Sequence, residues 1–190
     1  MITIIDYGAG NANSVKNALD YLGYDSIITS DPEKILKADK VIFPGVGSFG
    51  DAMKELKKRK IDGAIKKYIG SKKPFLGICI GLQVLFEQSE ESPNAKGLGI
   101  FEGRVVKFKK GKIPQIGWNK IESKTIGEGY AYFVNSYYAI PVDKIIVEST
   151  SDYYGRVTAA IKNSNIFATQ FHLEKSGKFG LGILKEWLEC

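Results

Sequence analysis

The first half of the chain alternates between two periods. Short apolar runs, Ile2-Thr3-Ile4-Ile5, Ser26-Ile27-Ile28, Val41-Ile42-Phe43 and Lys73-Pro74-Phe75-Leu76, read as buried strands. Between them apolar residues recur at helical spacing. Val15, Ala18, Leu19 and Leu22 mark one helix; Asp31-Pro32-Glu33 opens a second, with the cap residue and the first-turn proline in place. Two further helices fall near 51–56 and 61–69, and Leu82, Leu85 and Phe86 continue helically after the fourth strand. Strands alternating with helices predict a parallel sheet wound on both faces, with ligands bound beyond the carboxyl ends of the strands.

The second half reads differently. Segments 97–101, 104–108, 114–121, 130–134, 145–148, 157–161 and 166–171 carry β-type patterns with few helical stretches between them, which predicts an added antiparallel portion. A closing helix carries Leu181, Leu184 and Leu188 on one stripe, with Ile183 and Trp187 beside it. The predicted class is therefore α/β: a doubly wound, mostly parallel sheet with an antiparallel extension. No repeat or Pro/Ser-rich linker divides the chain, so residues 1–190 are expected to form one domain.

Composition adds little that contradicts this picture. Hydrophobic residues make up 44% of the chain and are too dispersed for a membrane span. The N-terminal run reads as a strand rather than a signal peptide, because it lacks a basic segment and a long apolar core. Two cysteines offer no disulfide framework, and a reducing cytoplasm suits a reactive thiol. The net charge of +6 raises the question of nucleic acid. The lysine clusters at 57–60 and 107–112 lie in no RNA-binding motif, so an acidic partner surface or a charge-rich composition explains the excess more simply.

Candidate chemistry begins at Gly77-Ile78-Cys79-Ile80-Gly81-Leu82-Gln83. A G-x-C-x-G between strand and helix is the thiol form of the nucleophile elbow, and a helix N-terminus beside the sulfur favours thiolate. The plainer reading is a buried structural cysteine. The only histidine decides between them: His172 follows the apolar run Ile166-Phe167-Ala168 and precedes Glu174 by two residues. In an extended segment residues i and i+2 face the same way, so Glu174 can orient the imidazole that activates Cys79. A Cys79, His172, Glu174 triad follows. Pro44-Gly45-Val46-Gly47 can offer a backbone N–H to an oxyanion. The loop Asp6-Tyr7-Gly8-Ala9-Gly10-Asn11 fails the dinucleotide pattern, since Asn13 stands where the third glycine belongs. No cofactor or metal is called for.

In this order, with Gly117-Trp118-Asn119 and Tyr132-Phe133-Val134 added, the motifs resemble the class I glutamine amidotransferases. More narrowly, they are similar to the glutaminase subunits of imidazole glycerol phosphate synthase. The resemblance implies hydrolysis of the glutamine side-chain amide without a cofactor, and oxyanion donors at the Val46 and Ile80 amides. It assigns glutamine binding to Gly45, Gly47, Gln83, Asn135, Ser136 and Tyr137. It also implies a (β/α)8-barrel cyclase partner in histidine biosynthesis, with Asn11, Trp118, Tyr132 and Lys175 as interface candidates. Departures from the family pattern are Leu173 for proline, which could loosen the alignment of His172 and Glu174, and Asn135 and Gln115 for histidine. The competing readings are a glutaminase serving a sugar-amidinating paralogue, a subunit without catalysis, and a cysteine peptidase or deglycase on a related fold.

Overall fold

The computed structural model describes residues 1–9 and 11–190; Gly10, the second glycine of the anticipated loop 6–11, lies outside the described residues. β1 (Ile2–Ile5), α1 (Ala12–Tyr21), β2 (Ser26–Thr29), α2 (Pro32–Lys37), β3 (Lys40–Gly45), α3 (Phe49–Lys58), α4 (Ile61–Gly70), β4 (Phe75–Cys79) and α5 (Ile80–Gln83) form the first half. β5 (Gln88–Ser89), β6 (Gly103–Lys107), β7 (Gln115–Ser123), β8 (Gly129–Asn135), β9 (Tyr137–Pro141), β10 (Val147–Asp152), β11 (Arg156–Asn163), β12 (Ile166–Thr169) and α6 (Gly177–Glu189) form the second.

A nine-stranded sheet runs β2-β1-β3-β4-β12-β11-β10-β7-β8. From β2 to β12 the strands are parallel. From β12 to β8 every pairing is antiparallel. β12 is thus the seam between the two halves, and it is the strand that leads into His172. The strands β5, β6 and β9 form a smaller sheet.

Alternation along the central strands sends side chains to two cores. Ile5, Val41, Phe43 and Phe75 face α2, α3 and α4. Ile4, Ile42, Leu76 and Ile78 face α1 and α6, whose Ile183, Leu184, Trp187 and Leu188 are buried while Leu181 is only partly so. Two helix starts, those of α2 and α3, follow their caps: Asp31 Oδ1 accepts from Glu33 N at 2.9 Å, and Ser48 Oγ accepts from Asp51 N at 3.2 Å.

Three local expectations need correction. The helix after the elbow is a single turn, because the carbonyls of Val84, Leu85 and Phe86 accept from the N–H groups of Leu98, Ile100, Phe101 and Gly99. The same bonds remove 97–101 from any sheet, although its pattern reads as a strand. The strand expected at 145–148 begins only at Val147, because a turn closed by Asp143 Oδ1 on Ile145 N precedes it. Among the described residues no helix is long and apolar enough to cross a membrane.

Candidate active site

Cys79 ends β4, and its backbone turns to φ 55°, ψ −105° before α5 begins. A non-glycine residue held there costs on the order of 1–3 kcal/mol and persists only where its surroundings enforce it. The surroundings do so by close packing. A Cβ at Gly81 would fall 2.0 Å from the Phe43 carbonyl, and one at Gly77 would fall 2.5 Å from the Gly81 carbonyl. The glycines of the motif therefore let the elbow lie directly on its own sheet.

β3 pairs with β4 so that Gly45 stands opposite Cys79. This brings Pro44 to Gly47 beside the thiol. Tyr7, buried and edge-on to Phe43 at 5.4 Å, donates its hydroxyl to the Val46 carbonyl at 2.9 Å. Burial and the neighbouring Cys79 raise the Tyr7 phenol well above its ordinary range, against the Val46 hydrogen bond.

A cavity of about 150 Å³ opens in front of Cys79. Its walls include Ile80, Gly47, Gln83, Asn135, Ser136 and Tyr137. Gly45, expected among the substrate-binding residues, is not a wall residue: its backbone is committed to the β3–β4 pairing. Three wall residues escape sequence reasoning: Glu91, Pro114 and Val134. Glu91 comes from a polar loop with no periodic signal, and its carboxylate accepts from Phe49 N at 2.6 Å. Asn135 donates to the Tyr137 carbonyl at 3.0 Å. Its Oδ1 and both ends of the Gln115 amide, directly across the β7–β8 ladder, have no partner among the described residues.

His172 is fully buried, with Nδ1 2.8 Å from Glu174 Oε1; the Glu174 side chain is 1% exposed. Nε2 has no other hydrogen-bond partner among the described residues and is the nitrogen left for Cys79. Burial disfavours the imidazolium, but bonding to Cys79 and Glu174, and their charges, outweigh it and raise the His172 pKa. Burial likewise opposes the Glu174 carboxylate, and His172 with Asn11 brings its pKa below the ordinary value.

The backbone around His172 is clamped. His172 N donates to the Tyr132 carbonyl at 3.0 Å, Tyr132 N donates to Ser176 Oγ at 2.9 Å, and that hydroxyl donates to the His172 carbonyl at 2.6 Å. Leu173 is fully buried at the head of the 3-10 turn Leu173–Lys175, so packing and Ser176 hold this turn without a proline.

The interface candidates divide. Trp118 and Tyr132 are cross-strand partners 6.0 Å apart edge to face, Trp118 is half exposed, and Lys175 is exposed. Asn11 differs from them in its surroundings. It is 8% exposed, and its amide donates to Glu174 Oε1 and lies 3.3 Å from His172 Nδ1. A short polar side chain at the start of α1 has been drawn inward by the buried carboxylate, which needs a donor.

A family model described as glutamine amidotransferase class-I matches residues 3–188. Imidazole glycerol phosphate synthase subunit HisH of Methanothermobacter thermautotrophicus is 46% identical, over 100% of this chain and 98% of that one. Imidazole glycerol phosphate synthase hisHF, chloroplastic, of Arabidopsis thaliana is 43% identical over 99% of this chain, which corresponds to 34% of that larger protein. A solved glutamine amidotransferase superposes with a TM-score of 0.83 at 18% identity, covering 100% of this chain and 98% of that one, a likeness of fold. A cysteine elbow, a buried His–Glu pair and full-length similarity converge: this chain belongs to the class I glutamine amidotransferases, among the HisH subunits of imidazole glycerol phosphate synthase.

Proposed function

We infer that residues 1–190 act as one glutaminase unit, hydrolysing the side-chain amide of L-glutamine to glutamate and passing the ammonia to a (β/α)8-barrel cyclase in histidine biosynthesis. The Cys79 thiolate attacks the carboxamide carbon, and the oxyanion is held by the Ile80 and Val46 amides. His172 gives its proton to the departing nitrogen, and ammonia leaves. His172 then takes a proton from water, which attacks the γ-glutamyl thioester and releases glutamate and the thiolate. Glu174 holds the imidazole in register throughout. The walls from Gly47, Gln83, Asn135, Ser136 and Tyr137 hold the amino-acid end of the substrate.

The observation that carries this reading is the left-handed backbone of Cys79 beside the buried His172–Glu174 pair. Ammonia at neutral pH is mostly protonated and unreactive, so a partner must receive it directly. The Arabidopsis relative, whose name joins HisH and HisF in one chain, supports a cyclase as that partner. The exposed β7–β8 face with Ile116, Trp118 and Tyr130, beside the wall that holds His172, supports docking there. A reducing, cytoplasmic setting keeps the thiol free. The test is glutamate release from glutamine by the complex. Cys79→Ala should abolish it, by several orders of magnitude, and leave ammonia-dependent synthesis by the partner intact. Retained glutamine turnover would overturn the assignment.

A further inference from the structure

Gln170 belongs to no helix or strand. It bridges β12 and His172, is 1% exposed, and its backbone N–H donates to the Ala159 carbonyl at 2.7 Å. Its side chain ends on the thiol: Nε2 lies 3.6 Å from Cys79 Sγ. Its Oε1 lies 3.0 Å from Gln83 Nε2, which in turn lies 3.0 Å from the Tyr137 carbonyl.

The direction of this chain of contacts is fixed at one end. A backbone carbonyl can only accept, so the nitrogen of Gln83, not its oxygen, must face Tyr137. The second N–H of that nitrogen then requires an acceptor, which sets Gln170 Oε1 towards Gln83. The other end of the Gln170 amide, its nitrogen, is thereby turned onto the sulfur. A glutamine free to rotate could present either end; this one cannot.

We propose that Gln170 is a catalytic residue of this site: its amide, held in one orientation by Gln83 and the Tyr137 carbonyl, donates an N–H to Cys79 Sγ and stabilises the thiolate. The proposal rests on Cys79 being the nucleophile. A donor fixed on the sulfur matches S⁻, whose lone pairs accept, and leaves His172 as the destination of the thiol proton. Hydrogen bonds to a charged partner in a buried site are worth more than neutral ones, so the thiolate gains more than the thiol. The titratable groups around the sulfur are His172 with Glu174 behind it, Tyr7, and Glu91 in the cavity wall. None of them is altered in the variants below.

The test is the pH dependence of Cys79 alkylation by iodoacetamide in the full chain, with the exposed Cys190 replaced by serine in every sample. Gln170→Met keeps the volume and removes the donor. Its alkylation should be about tenfold slower at pH 6, with the midpoint moved up by about one unit and the limiting rate at high pH unchanged. A purely structural role would change the limiting rate or the fold and leave the midpoint in place. Gln83→Met removes the orienting donor and should move the midpoint the same way by a smaller amount, about threefold in rate at pH 6. A Gln170→Met profile superimposable on the parent overturns the proposal. If Gln170→Met does not fold, Gln83→Met decides, and an unshifted profile there overturns it. Full glutamate release by protein alkylated at Cys79 would instead remove the nucleophile itself, so the two failures are distinct.

Discussion

Asn11 and Glu174 are 163 residues apart in sequence and in direct contact: the Asn11 amide donates to the same carboxylate oxygen that faces His172 Nδ1. The first helix therefore reaches the far end of the triad. Asn11→Ala should lower glutaminase kcat about tenfold while leaving KM near its original value, because the lost hydrogen bond acts through Glu174 and not on the substrate. Asn11→Asp should cost more, about a hundredfold, by placing a second carboxylate against the first. Steady-state kinetics of both variants give the comparison; wild-type kcat in Asn11→Ala would show that Glu174 is oriented without it.

The His172–Glu174 pair also sets a pH window for stability. Folding holds the Glu174 carboxyl below its ordinary 4.5 and the His172 imidazole above its ordinary 6.5. The carboxylate's contribution is complete above pH 4.5 and is lost as pH falls through the depressed value. The imidazolium's contribution is complete below pH 6.5 and is lost as pH rises through the raised value. The stability difference between the protein and Glu174→Gln should therefore peak between those two ordinary values, at about 3 kcal/mol for a broken buried pair. Urea titrations across pH 3 to 10 measure it, and a flat difference would contradict the pairing.

Gly81→Ala tests the packing of the elbow. Its added methyl would fall 2.0 Å from the Phe43 carbonyl, which is backbone and cannot swing aside. Destabilisation of about 3 kcal/mol or more is expected. A change within about 0.5 kcal/mol by chemical denaturation would mean that the elbow shifts freely on β3.

Partner dependence is the fourth prediction. An oxyanion donor at Val46 works only if its N–H points into the cavity, and docking of the cyclase with its nucleotide ligand can shift that population. Glutamate release should rise by at least roughly a hundredfold on adding both, a coupling of about 3 kcal/mol. Tyr7 restrains this segment through the Val46 carbonyl. Tyr7→Phe should raise the unassisted rate by about fivefold and narrow the ratio, a change of about 1 kcal/mol for one hydrogen bond. A lone subunit already turning over at the rate of the complex would refute the switch.

What could be read in advance followed from how local each signal is. The parallel half was legible because its strands and helices switch cleanly between two periods, and two of its helices, α2 and α3, start on their own caps, Asp31 and Ser48. Cys79, His172 and Glu174 were legible because an elbow and an i, i+2 pair are spelled out within a few residues. The contact of Asn11 with Glu174 was not legible, since nothing near position 11 announces position 174. Gln170 and Glu91 went unread for the same reason: a buried glutamine beside an apolar run and an acid in a polar loop have no periodic signature. Residues 97–101 carry a strand's pattern, yet their N–H groups pair with carbonyls left free by the truncated helix before them. Strand β9 was missed because its residues, Tyr137 to Pro141, pair with β6, which precedes it by thirty residues and more, and with no strand next to it in sequence.

The left-handed backbone at Cys79 separates endurance from activity. Glycine adopts that conformation without strain, so Cys79→Gly should be a dead enzyme that is about 1 kcal/mol more stable than the working one. A laboratory population of this chain propagated under heat alone, with no demand for nitrogen from glutamine, would be expected to discard the thiol early. Where the thiol is present, heat resistance has not been the sole criterion of survival.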